Sequence, residues 1–372
     1  MITRKNTKKG TYTLIILLAI LGCWIILMAV LYLLSPGKTK PFLDENGKFL
    51  EGSISEKVKM KINGIEQGMF IKGKNIKNPV LLYLHGGMPD YFLTRKYPTG
   101  MEDYFTVVWW EMRGSGMSYN IDIPVKTKNL DQMISDAKEV TNYLRQRFGQ
   151  EKIYLMGHSG GTFIGIQMID RMPELYSAYI GVAQIAYQLQ SEKLAYDYML
   201  ERYRENGNKK MVKKLEASPV TMTEGVPQSY QLIRDVAMHD LGIGTTHDMK
   251  SVIREIILPS FTCPDYTLTE KINLWKAKAG SGISILWSKM LVTDLSKEFT
   301  EFKIPVYFFH GVYDYTVNYE LAKEYYQKIK APVKKFFTFE KSAHSPLFEE
   351  PQKMKEIFER EIFPDVKQSA DL

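Results

Sequence analysis

Ser159, Asp314 and His344, in that order along the chain, are the residues whose types could together make an activated nucleophile. A serine hydroxyl attacks a carbonyl poorly until a base takes its proton, and an imidazole serves as that base best when a carboxylate holds its tautomer. Ser159 lies in "IYLMGHSGGTF" (153–163), where an apolar, strand-like run meets small and polar residues and then an apolar, helix-compatible run. Gly157-His158-Ser159-Gly160-Gly161 fits G-x-S-x-G at that junction. A serine on so sharp a turn takes a strained backbone, and only small residues two before and two after it let strand and helix approach. The helix N-terminus behind it favours developing negative charge.

Attack on a carbonyl also needs donors for the oxyanion. His85-Gly86-Gly87 ends the apolar run "PVLLYL" (79–84), and the amides of Gly87 and Gly160 are the expected pair. Asp314 follows the run "PVYFF" (305–309) and His344 follows "KKFFTF" (334–339), so each lands just past a strand. Of the other histidines, His158 reads as a packing residue beside the serine. His85 and His310 read as partners of backbone groups near the site, and His239 and His247 fall in a helical region. No H-E-x-x-H or comparable spacing occurs, and Cys23 and Cys263 cannot build a disulfide framework or thiolate metal site. Neither cofactor nor metal is expected, and Cys263 reads as a packed thiol.

The elements that must position these residues follow from patterning. "SISEKVKMKING" and "IEQGMFIKG" predict an antiparallel pair turning at Asn63-Gly64. "PVLLYL", "FTVVWW" (105–110), "KIYLM" (152–156), "AYIGVAQIA" (178–186), "PVYFF" and "KKFFTF" are apolar at nearly every position, as suits strands buried on both faces of a parallel sheet. In "LDQMISDAKEVTNYLRQRF", Leu130, Met133, Ile134, Ala137, Val140 and Leu144 share one helix face. Such alternation means a doubly wound α/β fold. Residues 187–300 break it, being helical in character and rich in Tyr, Met and Lys. They are expected to form a helical cap inserted into a core made of 53–186 and 301–372, at the strand ends where ligands bind.

Residues 12–34 carry no charge and are long enough to span a bilayer core, so a transmembrane helix is expected, and with it a lipid bilayer as partner. The basic tail 1–11, with Arg4, Lys5, Lys8 and Lys9, favours a cytoplasmic N-terminus and an extracytoplasmic remainder. Residues 35–52 read as a linker lifting the domain off the membrane. At 372 residues and 45% hydrophobic the chain can bury a large core. Its +7 charge is scattered, and the one cluster, Lys209, Lys210, Lys213 and Lys214, suits a solvated helix face, so no nucleic-acid partner is expected.

Taken together, "HGG", "VVWWEMRGSGMS" (107–118), "GHSGG", "GVYD" and "SAHSPLFEEP" resemble the α/β-hydrolases of the proline iminopeptidase-like branch, over about residues 53–362. The resemblance implies the α/β-hydrolase fold and a helical cap over the site, with Arg113, Gly114, Gly116 and Ser118 as structural supports near the pocket. It also implies acidic groups that hold a substrate amine, for which Glu192, Asp197 and Glu201 are candidates. The chain departs from the branch in having H-G-G-M-P-D for H-G-G-P-G, Glu111 and Met112 for Asp and Gln, and Gly160 where an aromatic is common. That last change implies a more open pocket beside Ser159. The expected function is a membrane-anchored serine hydrolase acting by acyl transfer on an ester, amide or short peptide. The alternatives are an iminopeptidase-type aminopeptidase and a catalytically silent hydrolase fold serving as a sensor or binding module.

Overall fold

The computed structural model describes residues 3–280 and 282–370, with side chains described from residue 12 to 368 except 281. The side chains of the basic tail, 1–11, therefore lie outside the described residues. Eight strands form one sheet: β1 (Ile54–Ile62), β2 (Ile65–Gly73), β3 (Val80–Leu84), β4 (Thr106–Glu111), β5 (Ile153–His158), β6 (Tyr176–Val182), β7 (Val306–Gly311) and β8 (Lys334–Phe339). Their order is β1-β2-β4-β3-β5-β6-β7-β8. The β1–β2 and β2–β4 pairs are antiparallel and the other five are parallel. β3, β4, β5 and β7 are buried at every residue, because helices or loops cover both faces, and this is why their sequences lack alternation. β6 is shorter than its apolar run suggests: the chain breaks off at Ala183, whose φ is 51°, although Ile185 and Ala186 stay buried.

Helix α1 (Thr3–Leu33) carries the uncharged run, α2 (Leu130–Phe148) has the predicted apolar face, and α3 (Gly160–Arg171) follows β5. Asn129 caps α2, its side chain accepting from Gln132 N, and Gly149 ends it at φ 62°. Between β6 and β7 the chain is helical: α4 (Gln188–Glu205), α5 (Lys209–Glu216), α6 (Gln228–Asp240), a π-turn (Ile253–Ile257) leading into α7 (Leu258–Thr262), α8 (Leu268–Gly280) and α9 (Trp287–Val292). Met199, Tyr203, Leu215, Tyr230 and Met238 give part of this insertion an apolar centre separate from the clusters on the sheet. The four lysines of α5 are exposed, as their spacing suggested.

Residues 12–33 form the one helix among the described residues long and apolar enough to cross a membrane, with mean hydropathy 3.1 and no buried share. The segment after it is not a free spacer. Ser35 is buried, Gly37 N donates to Pro264 O at 2.9 Å, Thr39 Oγ1 donates to Ser55 O, and Ser55 Oγ donates to Lys40 O. The Lys271 ammonium donates to Leu34 O, Ser35 Oγ and Phe261 O, each at 2.8 Å. The reading as a linker that lifts the domain away is thus corrected: carbonyls left over at the end of α1 need donors, and a buried lysine of the helical insertion supplies them.

Candidate active site

Ser159 occupies the turn between β5 and α3 at φ 55° and ψ −123°. That is a positive-φ backbone a serine enters at a cost of about 1–2 kcal/mol. Neighbouring hydrogen bonds hold it there: Ser159 N donates to Val182 O at 3.0 Å, and Thr162 donates to Ser159 O through its amide and its hydroxyl. The flanking glycines are required sterically. A Cβ on Gly157 would lie 2.9 Å from the backbone of Gly161 and Thr162, and one on Gly161 would lie 2.0 Å from Leu84 O. Because that neighbour is a β3 carbonyl that cannot step aside, Gly161→Ala is expected to destabilise the protein by about 3 kcal/mol. Denaturant unfolding checks it, and an unchanged midpoint contradicts it.

Parallel pairing sets the remaining loops beside Ser159. β3 pairs β5 with Leu84 opposite Gly157, and β7 pairs β8 with Gly311 opposite Phe339, so the loops after β3, β5, β7 and β8 emerge at one sheet edge. His344 Nδ1 lies 2.9 Å from Asp314 Oδ2, and Asp314 Oδ1 accepts from Val317 N at 2.9 Å. His310 Nε2 stands 3.2 Å from the same carboxylate and 2.9 Å from Val317 O. Burial alone would raise the Asp314 carboxyl, but His344 and His310 hold it well below the usual carboxylate range. Burial lowers the His344 imidazole, partly offset by Asp314. A neutral imidazole with Nδ1–H on a carboxylate leaves Nε2 free to take a proton.

Ser159, His344, Gly87 and Gly160 all line a cavity of about 570 Å³. Ser159 Oγ and His344 share no hydrogen bond among the described residues, a looseness common before substrate binds. His85 Nδ1 meets Gly86 O at 2.8 Å and its Nε2 accepts from Met112 N at 3.2 Å, which stiffens the glycine loop. Burial pulls His85 down to about 4, so it stays neutral. A Cβ on Gly86 would lie 2.9 Å from Ser159 Cβ. His158 points away from Ser159: its Nε2 meets His344 O at 3.0 Å, and its Nδ1 lies 3.1 Å from both the Tyr83 hydroxyl and Asp90. Arg113 is not part of the cavity lining. It pairs with Asp136 of α2 through Nε at 2.6 Å and a terminal nitrogen at 2.9 Å, both side chains being buried.

Several residues fall otherwise than the sequence suggests. Glu192 is fully buried and accepts from Nε and one terminal nitrogen of Arg234, each at 2.7 Å, so its charge is already taken. Asp197 pairs with Lys193 on the surface, and Glu201 is exposed beside Arg202. Nor is the space beside Gly160 open: a Cβ there would lie 3.1 Å from Ile283 and 3.6 Å from Met290, side chains of the insertion that fill it. His239 lines the cavity and contacts Thr245 at 3.0 Å, whereas His247 stacks on Tyr313 at 3.8 Å. Cys263 is buried, its thiol pushed up to about 11 by that burial.

Patterning also passed over some residues. Arg234, Asp235 and Lys278 bring charge to the cavity wall from the insertion, where no spacing marks them. Glu349 accepts from the amides of Ala343, Ser345 and His247 and so ties the His344 loop to the insertion. Its only signal was an acid five residues after His344 in "HSPLFEEP".

A mostly parallel eight-stranded sheet with a strand–serine–helix turn at its carboxyl edge defines the α/β-hydrolases. The chain belongs to that fold family, whose model matches residues 79–351. It is 32% identical over 311 residues to "probable aminopeptidase YbaC" of Bacillus subtilis (strain 168), covering 80% of this chain and 93% of that protein. Among solved structures, a proline iminopeptidase-related protein from Thermus thermophilus superposes with a TM-score of 0.59 at 17% identity, covering 84% of this chain and 98% of that one. A membrane phospholipase A described as a bacterial virulence factor gives 0.56 at 16%, covering 97% and 99%. These likenesses make the chain a hydrolase.

Proposed function

We propose that the protein is a membrane-anchored serine hydrolase in which Ser159 attacks an ester or small amide, His344 takes and returns the proton, Asp314 orients His344, and the amides of Gly87 and Gly160 hold the oxyanion. One observation carries the reading: a half-buried serine at φ 55° shares a cavity with a buried His344–Asp314 pair 2.9 Å apart. In the first step the Ser159 Oγ–carbonyl bond forms, the leaving group departs with the proton from His344, and water then releases the acid by the reverse relay. Helices between β6 and β7 act as the cap, and residues 12–34 as the membrane anchor, with the N-terminus cytoplasmic and the hydrolase domain outside.

An aminopeptidase reading has the name of the Bacillus subtilis relative in its favour. Against it stands the Glu192–Arg234 pair, which neutralises one of the acids that the resemblance offered for gripping a substrate amine. Ester cleavage is therefore expected to exceed proline-naphthylamide cleavage by at least about tenfold in kcat/KM, the worth of one charged contact. Assays of the detergent-solubilised protein on short p-nitrophenyl esters and on proline-naphthylamide decide this; faster amide turnover overturns the ester preference. Failure of a fluorophosphonate to label the wild-type protein would leave the silent, ligand-binding reading in its place.

A further inference from the structure

Helix α1 ends where its apolar span ends. Twenty-two residues from Tyr12 to Leu33, at about 1.5 Å each, match the thickness of a bilayer core. Leu34 therefore marks the boundary of the hydrocarbon, and what touches Leu34 sits at the lipid headgroups. The Lys271 ammonium bonds Leu34 O and Phe261 O at once, each at 2.8 Å, so α7 is fixed beside that boundary. The Gly37–Pro264 hydrogen bond and the bridge between Pro36 and Thr267 repeat the attachment.

The helical run Ile253–Thr262 that is anchored in this way has two unlike faces. Ile256 on its inner face, and Val252 just before it, line the cavity that holds Ser159. On its outer face Ile253 is 62% and Leu258 52% exposed, with Arg254 exposed between them. Lys38 and Lys40, whose side chains are exposed within the docked segment, add positive charge on the same stretch of chain that leaves the membrane. The neighbouring Glu255 accepts from Ser251 N at 2.8 Å, so the exposed face itself presents Ile253, Arg254 and Leu258. Exposed branched apolar residues beside a cation suit the interface of an anionic bilayer, where apolar side chains enter the acyl region and cations meet phosphates.

We propose that the Ile253–Thr262 helix lies in the membrane interface, and that the cavity behind it takes a lipid acyl ester drawn from the bilayer past Val252 and Ile256. The wall of the cavity is then also the contact with the lipid, so a long acyl chain passes from one apolar environment to another without crossing water. This rests on the membrane anchoring and on the Ser159 chemistry proposed above, and two separate readouts keep those questions apart.

The full-length protein is reconstituted in vesicles of phosphatidylcholine and phosphatidylglycerol. In the first readout, the Ile253→Ser, Leu258→Ser double variant is expected to lose about tenfold in turnover of a long-chain acyl ester carried in the vesicles, while turnover of a water-soluble p-nitrophenyl ester stays unchanged. Unchanged turnover of the vesicle substrate, or an equal loss on both substrates, overturns the proposal. In the second, a fluorophore on Leu258→Cys, in a Cys23→Ser background with Cys263 buried, is quenched by nitroxide-labelled acyl chains. Absence of quenching, or shielding of the label by a second copy of the chain, overturns it whether or not Ser159 is the nucleophile. Loss of ester turnover in the soluble assay of the wild type would instead count against the Ser159 chemistry alone.

Discussion

Ser159→Ala is expected to abolish fluorophosphonate labelling and to lower kcat/KM on a p-nitrophenyl ester by about 10⁴-fold or more. In the proposed mechanism the hydroxyl is the atom that forms the acyl bond, so its removal would leave only binding and oxyanion stabilisation. The variant is also a clean one. Ser159 Oγ makes no hydrogen bond among the described residues, and the bonds that hold the turn run through its backbone amide and carbonyl. Alanine meets the same positive φ as serine, so the unfolding midpoint should stay within about 0.5 kcal/mol of wild type. Retained labelling, or turnover within tenfold of wild type, removes Ser159 from the mechanism.

The second large effect is expected from Asp314→Asn, at about 10³- to 10⁴-fold in kcat. An amide at this position no longer stabilises the imidazolium that forms during attack, and its NH₂ can face Nδ1 and leave the wrong tautomer. The sign of the pH dependence gives a sharper test. Burial lowers His344 and Asp314 raises it, so in the wild type the acid limb of kcat/KM lies below the ordinary histidine value of about 6.5. Activity is present above that limb and lost as pH falls through it, when His344 is protonated and cannot accept the serine proton. With the carboxylate gone, the opposing contribution disappears and the limb moves further toward acid. A limb that stays put, or moves upward, means Asp314 is not the partner of His344 in the reaction.

How much of the site could be read beforehand depends on where its physics lies. G-x-S-x-G and H-G-G announce themselves because steric exclusion restricts residue type at fixed spacing. Gly157 and Gly161 have no room for a Cβ, and sequence reports that kind of constraint directly. Asp314 and His344 were legible because each follows an apolar run that had to be a central strand. β6 was overextended because Ile185 and Ala186 are buried for another reason, off the sheet. The roles given to Glu192 and Gly160 failed for a common cause: their partners, Arg234, Ile283 and Met290, lie 42 residues or more away in the chain and share no periodicity with them.

By itself, then, the sequence determined the fold class, the strand pair at Asn63-Gly64, the apolar N-terminal helix and the residues that belong at the sheet edge. Each of these rests on local sterics or on burial repeated at short spacing. Only the tertiary structure decided which charges cancel, what fills the space beside Ser159, and that the segment after α1 is docked by Lys271 rather than free. Those depend on long-range pairs in a low-dielectric interior, where a buried ammonium or carboxylate must find a partner wherever the fold brings one.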